Sequence, residues 1–199
     1  MNIAVFASGR GTNFAAIVRA VKKGKILADI SLLVCDNPKA SVIGKAKRAG
    51  VELFLIKRAD FANKRDFEDR IIQRLEEGAV DLIVLAGFMR ILSPAFIQRF
   101  RSKIINIHPA LLPSFKGTHG IKDAFDYGVR VTGVTVHFVD EEMDHGPIIL
   151  QAPVKINQDD TLESLESRTH KIEHKLYPEA VRLFVEGRLK TEGRKVIIL

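Results

Sequence analysis

This 199-residue sequence predicts an α/β fold built on an open, mostly parallel twisted sheet with helices on both faces, and three observations carry that reading. Short apolar runs alternate with segments of helical spacing through the first hundred residues, the rhythm of a parallel sheet. Each run is predominantly apolar and fits a buried strand. After Ile107 the alternation stops, so antiparallel strands are expected to join the same sheet in the C-terminal half.

The first strand is read over Asn2 to Ser8 and ends against Gly9. The next four are Ile30 to Cys35, Val51 to Ile56, Leu82 to Ala86 and Ile104 to Ile107. Between them, Phe14, Ile17, Val18 and Val21 share one helical face, Ala40 to Ala49 form a second helix, Phe67, Ile71 and Leu75 mark a third, and Pro94 to Phe100 a short fourth. A loop rich in Pro and Gly, His108 to Gly120, leads to a helix near Ile121 to Tyr127. Val131 to Val139 reads as a long strand and Pro147 to Ile156 as its hairpin-like neighbour. The last helix is expected to start at Asp160, capped with the help of Glu163, and to kink or restart at Pro178. No repeat or linker-like tract interrupts the chain, which predicts a single domain over 1–199.

Composition narrows the function classes. The longest stretch without Lys, Arg, Asp or Glu runs from Ile104 to Phe115, short of the roughly 18 apolar residues of a membrane-spanning helix. The N-terminus shows no charged stretch leading into an apolar core, so a cytoplasmic protein is expected. The single Cys35 excludes an internal disulfide and a thiolate zinc module. Net charge is +7, and the excess lies in residues 1–100, with 17 basic against 10 acidic side chains, whereas 101–199 carries 14 of each. These cations are dispersed, with no basic stripe or interleaved aromatics, so they read as solvated helix faces and no nucleic-acid partner is expected.

Three segments can carry chemistry. Ser8-Gly9-Arg10-Gly11-Thr12-Asn13 joins the first strand to the first helix, where glycines let the backbone approach an anion and Thr12 or Asn13 adds a donor. A phosphate cradle, a dinucleotide fingerprint with Asp36 as its ribose-binding acid, and a plain glycine turn all remain open, although Phe14 occupies the third glycine position of the fingerprint. In Ile104 to Pro109, Asn106 and His108 are two residues apart and project together at a strand end, where an amide and an imidazole can stabilise an oxyanion and move a proton, although a strand-end His taken alone reads equally as a satisfied structural residue. The turn Asp140 to Pro147 holds four carboxylates; three read as solvated, while Asp144 would orient His108 and favour its charged form if the turn folds back to it. Neither a nucleophile elbow nor a His pair with a zinc-protease Glu is present, so neither covalent catalysis nor a metal is expected. His137, inside a strand, reads as a satisfied core residue, and His145 has no assignable role.

Taken together, Ala7 to Phe14, Leu85 to Pro94, Ile105 to Pro113 and Gly133 to Glu141 with Asp144 to Ile149 resemble the phosphoribosylglycinamide formyltransferase family over nearly the whole chain. The resemblance implies a Rossmann-like formyltransferase fold, with a phosphate-binding half over 1–100 and a catalytic and folate-binding half over 101–199. It implies transfer of a formyl group from 10-formyltetrahydrofolate to the amine of 5-phosphoribosylglycinamide (GAR), giving formyl-GAR in de novo purine biosynthesis. Asn106, His108 and Asp144 would be the catalytic set. Gly11, Thr12 and Asn13 would hold the ribose phosphate, and His170, Lys171 and Glu173 the rest of GAR. The folate would meet Lys64, Met89, Arg90, Ile91, Leu92, Asn106, Val139, Asp140, Glu141 and Asp144, with Arg65 as a substitute for Lys64. The resemblance implies small-molecule substrates only, no metal, no nucleic acid, no membrane, and a monomer or weak homodimer. A 10-formyltetrahydrofolate hydrolase, or another folate-dependent formyltransferase with the same triad, is the alternative. Ala110 stands where the family commonly has Ser and Thr12 where Ser is more usual; Thr12 keeps the hydroxyl.

Overall fold

The computed structural model describes residues 1–199, which divide into two compact units, Met1–Ile105 and Asn106–Leu199. The first contains β1 (Asn2–Phe6), α1 (Thr12–Lys22), β2 (Asp29–Cys35), α2 (Val42–Ala49), β3 (Glu52–Leu55), α3 (Lys64–Glu77), β4 (Leu82–Leu85), α4 (Pro94–Arg99) and the start of β5 (Ile104–His108). The second contains the end of β5, α5 (Gly120–Tyr127), β6 (Val131–Phe138), β7 (Ile148–Lys155), α6 (Leu162–Val185), β8 (Leu189–Glu192) and β9 (Lys195–Ile198). The strand order is β3-β2-β1-β4-β5-β6-β7-β9-β8. Pairing is parallel for β1 with β2 and β4 and for β2 with β3, and antiparallel for β6 with β7 and β8 with β9. The predicted α/β sheet with antiparallel strands in its C-terminal half is the observed one.

In the first unit, Ile3, Ala4, Val5 and Phe6 of β1 and Leu82, Ile83 and Val84 of β4 have no solvent exposure, which is why these strands are apolar on both faces. Phe14 and Ile17 of α1, Phe67, Ile71 and Leu75 of α3, and Phe96 and Ile97 of α4 complete this core. Phe6 meets Phe88 and Phe96 edge-on, with ring centroids 5.2 and 6.3 Å apart. Cys35, the last residue of β2, is fully buried, and its thiol donates to the Asn37 carbonyl at 3.3 Å. Burial pushes that thiol up from its usual range.

Three features depart from the sequence reading. The last helix is capped by Thr161, not Asp160: the Thr161 hydroxyl accepts from the Ser164 N–H and the Ser164 hydroxyl accepts from the Thr161 N–H, a reciprocal box that needs no Glu163. Asp160 instead receives the Arg168 guanidinium and the Ser164 hydroxyl. Helix α6 also continues through Pro178 without restarting. Tyr177, Ala180, Val181 and Leu183 are buried around it, and their packing outweighs the lost backbone donor, which costs about 3 kcal/mol. Finally, the β8–β9 hairpin follows α6; its strands are four residues each and largely exposed, so Val196 to Ile198 form a strand without the burial that marks the central ones.

Gly11 caps α1 with φ +66°, and a Cβ there would stand 2.3 Å from Val42 Cγ2 and 3.1 Å from Val42 Cα. Gly11→Ala therefore meets a left-handed backbone penalty and a steric clash at once, and it should lower unfolding free energy by about 3 kcal/mol, read from the urea midpoint at constant m.

Candidate active site

In the first unit, β1 lies between β2 and β4, so the crossover direction reverses at β1 and ligands are expected beyond the carboxyl ends of β1 and β4. Two loops stand there, the glycine turn 8–11 and the segment 86–92. The Ser8 N–H donates to Gly87 O at 2.9 Å and the Met89 N–H to Ser8 Oγ at 3.2 Å. Ser8 Oγ in turn donates to Asp36 Oδ1 at 2.6 Å, and Arg90 Nε to Asp36 Oδ2. Asp36 is thus occupied by Ser8 and Arg90, with its side chain 6% exposed, and is not presented to a ribose as a dinucleotide fold requires. The Arg90 guanidinium also lies 5.7 Å from the Phe67 ring centroid. At the far end of the loop, Glu68 accepts the Ser93 N–H at 2.9 Å, and Ser93 Oγ caps α4 through the Phe96 N–H.

Within this loop Met89 and Ile91 are 71% and 67% exposed, whereas Leu92 is buried. Large apolar side chains left in water beside a switch point suit an aromatic ligand. Lys64, the first residue of α3, keeps an exposed ammonium 3.7 Å from Glu68 Oε1, and neighbouring Arg65 pairs with Asp69 at 3.6 Å. Gly11 is buried, Thr12 and Asn13 are half-buried, and no side chain caps α1, an arrangement in which helix N-termini take anions. Lys45 Nζ donates to the Arg10 carbonyl at 2.8 Å and holds a cation at the same turn.

The second unit assembles the polar set around Asp144. Its Oδ2 lies 3.3 Å from His108 Nδ1 and accepts the Gly117 N–H at 2.8 Å; its Oδ1 lies 3.5 Å from Asn106 Nδ2 and 3.7 Å from His137 Nε2. His108 Nε2 is 2.7 Å from the Phe115 carbonyl, so both ring nitrogens face oxygen acceptors. His137, expected as a satisfied core residue, is 2% exposed, yet it belongs to this cluster. Its Nδ1 donates to Phe138 O at 2.8 Å, and its Nε2 lies between Asn106 Nδ2 at 3.3 Å and Asp144 Oδ1 at 3.7 Å. The period-2 face of β6 that carries Thr135 and His137 was the sequence signal for it. Thr135 Oγ1 donates to Ala110 O at 2.7 Å and accepts from the Leu112 N–H and Gln151 Nε2; this pins the strand-to-loop corner after His108 although Ala110 has no hydroxyl.

The fold-back of the 140–146 turn onto His108 depends on two backbone features. Asp144 has φ +49°, a region that L residues rarely adopt. A Cβ on Gly146 would lie 1.8 Å from Phe138 O, so the turn packs directly on the end of β6 only because residue 146 lacks a side chain. Val139 and Asp140 are half-buried here and Glu141 is exposed. His145, unassigned from sequence, is held by Asp140 Oδ2 at 2.8 Å and by Arg194. On α6, His170 Nδ1 lies 3.0 Å from the buried Glu173, and Lys171 points to solvent. No group of three or more His, Cys, Asp or Glu side chains could hold a metal ion, and no helix is long and apolar enough to cross a membrane.

Burial pushes the Asp144 carboxyl up, but the His137 imidazole and the Gly117 N–H beside it, with the charge of His108, outweigh that and hold it below the usual carboxylate range. An unprotonated carboxylate beside an imidazole and an amide can bind an oxyanion at the imidazole and amide N–H groups while taking up a proton.

Residues 1–181 match the formyl transferase family. The phosphoribosylglycinamide formyltransferase of Bacillus subtilis is 48% identical over 179 residues, covering 90% of this chain and 92% of that protein. The Haemophilus influenzae enzyme of the same name is 44% identical over 188 residues, 94% of this chain and 89% of that protein. Among solved structures, glycinamide ribonucleotide transformylase 1 from Symbiobacterium toebii superposes with a TM-score of 0.97 at 42% identity, over 100% of this chain and 94% of that one.

A folded-state carboxyl held below its unfolded value of about 3.9 stabilises the fold fully above that pH and loses its contribution as pH falls through the folded value. Wild type should therefore lose stability relative to Asp144→Asn between pH 6 and pH 3, measured by urea unfolding at both; a gap that stays constant with pH would contradict the assignment.

Proposed function

The chain belongs to the formyl transferase family, and on that premise we propose that it transfers the formyl group of 10-formyltetrahydrofolate to the amine of 5-phosphoribosylglycinamide, giving formyl-GAR in purine biosynthesis. The observation that carries the reading is the convergence of Asn106 and His108 on the Asp144 carboxylate, within 3.5 Å and 3.3 Å. The relatives named above carry the same activity in their names.

The reaction needs no covalent enzyme intermediate. The amine lone pair of GAR attacks the formyl carbon, and the carbonyl electrons move onto oxygen. The Asn106 amide and a protonated His108 donate to that oxyanion, where preorganised donors act most strongly. Asp144 then relays the proton released by the amine towards the departing folate nitrogen, and collapse of the tetrahedral adduct breaks the C–N bond to the folate. Because His108 Nε2 contacts the Phe115 carbonyl, its proton has to leave that oxygen for the formyl oxygen when substrate arrives. Asn106 Nδ2 lies 3.3 Å from His137 Nε2 and 3.5 Å from Asp144 Oδ1, so one of its two N–H groups likewise has to turn from these partners to the formyl oxygen.

In this reading Gly11, Thr12 and Asn13 take the ribose phosphate, with Lys45 adding charge, and His170, Lys171 and Glu173 take the ribose and glycinamide end. Met89, Ile91 and Leu92 receive the pterin, the backbone of Val139 to Asp144 its polar edge, and Lys64 the folate carboxylates. Arg90 serves indirectly, since its pairing with Asp36 secures the loop.

The assignment is tested by following formyl loss from 10-formyltetrahydrofolate with and without GAR. Loss only with GAR supports the transferase; equal loss without it makes the protein a hydrolase. His108→Ala should lower kcat by about a thousand-fold, with an unfolding midpoint near that of wild type; near-normal turnover in that variant would remove His108 from the mechanism.

A further inference from the structure

Arg194 lies outside residues 1–181, the stretch matched by the family, and follows Gly193 in the turn of the β8–β9 hairpin. Lys195, the next residue, pairs with Ile148 of β7, which brings the hairpin beside the turn that precedes β7. There the Arg194 guanidinium donates to the His145 carbonyl at 2.7 Å, and its other terminal nitrogen lies 2.9 Å from His145 Nε2 and 3.3 Å from Nδ1. On the other side, His145 Nδ1 is 2.8 Å from Asp140 Oδ2, and Glu142 Oε2 is 3.9 Å away. Arginine has only donors, so a ring carrying its proton on Nδ1 satisfies Arg194 through Nε2 and Asp140 through Nδ1.

This chain of contacts closes the turn across its two ends, Asp140 and His145, with Asp144 inside it. Asp144 sits in the left-handed region at φ +49°, so its carboxylate keeps its place only if the flanking backbone is held. We infer that Arg194 is a positioning residue for formyl transfer: from the C-terminal hairpin, through His145, it holds the 140–146 turn in the conformation that points Asp144 at His108. The inference rests on the reading of Asp144 given above.

The Gly117 N–H donates to Asp144 Oδ2 and so reports the carboxylate's position without reference to activity. In the full chain, Arg194→Ala should speed amide exchange of Gly117 and of residues 141–146 about tenfold, with the amides of β6 and β7 unchanged. The kcat should fall about tenfold with KM for GAR within about twofold, because small misplacements of a reacting group cost rate before binding. Arg194→Lys, which keeps a donor for the His145 carbonyl, should recover part of both. Unchanged Gly117 exchange would overturn the inference, as would uniform acceleration across β6 and β7 with a matching loss of stability, the sign of general loosening. Should the wild type itself transfer no formyl group, the functional reading fails, while Gly117 exchange still decides whether Arg194 places Asp144.

Discussion

The carboxylate of Asp144 binds four segments that are distant in the chain: the end of β5 through Asn106 and His108, the 115–117 loop through the Gly117 N–H, β6 through His137, and its own turn. A carboxylate with only 9% of its side chain exposed is costly to bury unless its oxygens find donors. That cost gives the assembly its specificity. Any arrangement of the turn that moved Asp144 away from the Gly117 N–H and the two imidazoles would leave a half-solvated charge, or isolated rings, in its place. The same contacts orient His108 and Asn106, so the conditions for a stable second unit and for the proposed oxyanion site coincide.

The first unit solves a different problem. Its central strands β1 and β4 are buried on both faces, so ligand contact falls to the turns beyond their ends. Those turns are tied together by one polar chain from Gly87 through Ser8 and Asp36 to Arg90. Exposed Met89 and Ile91 therefore stand on a braced loop: their side chains are in water, but the backbone beneath them is anchored to β1, to β2 and, through Glu68, to α3. Rigid support under an apolar rim lowers the ordering cost of binding an aromatic group.

The strands of the first half are legible because buried strands such as β1 and β4 are almost wholly apolar, and the positions of Asn106, His108 and the glycine turn follow from where such strands end. What escaped the sequence depends on partners remote in the chain. His137 sits on a strand face like any core histidine, and only its distance to Asn106 and Asp144 separates the two readings. His145 had no interpretable context because Arg194, 49 residues away, supplies it. The start of α6 lies one residue beyond the cap its sequence suggests because Asp160 and Thr161 are both capping types, and Arg168 draws Asp160 away. Pro178 misled because local propensity yielded to the packing around Tyr177 and Val181.

The single thiol of Cys35, sealed at the end of β2 with its hydrogen directed at the Asn37 carbonyl, is inaccessible and weakly acidic while the first unit is closed. A disulfide reagent in the medium would therefore modify this protein only in molecules in which the end of β2 has opened, locally or with the whole unit. The chain thus carries its own clock for opening: the rate at which one cysteine becomes titratable measures how often the strand end beside the glycine turn is uncovered, without a label or a substitution.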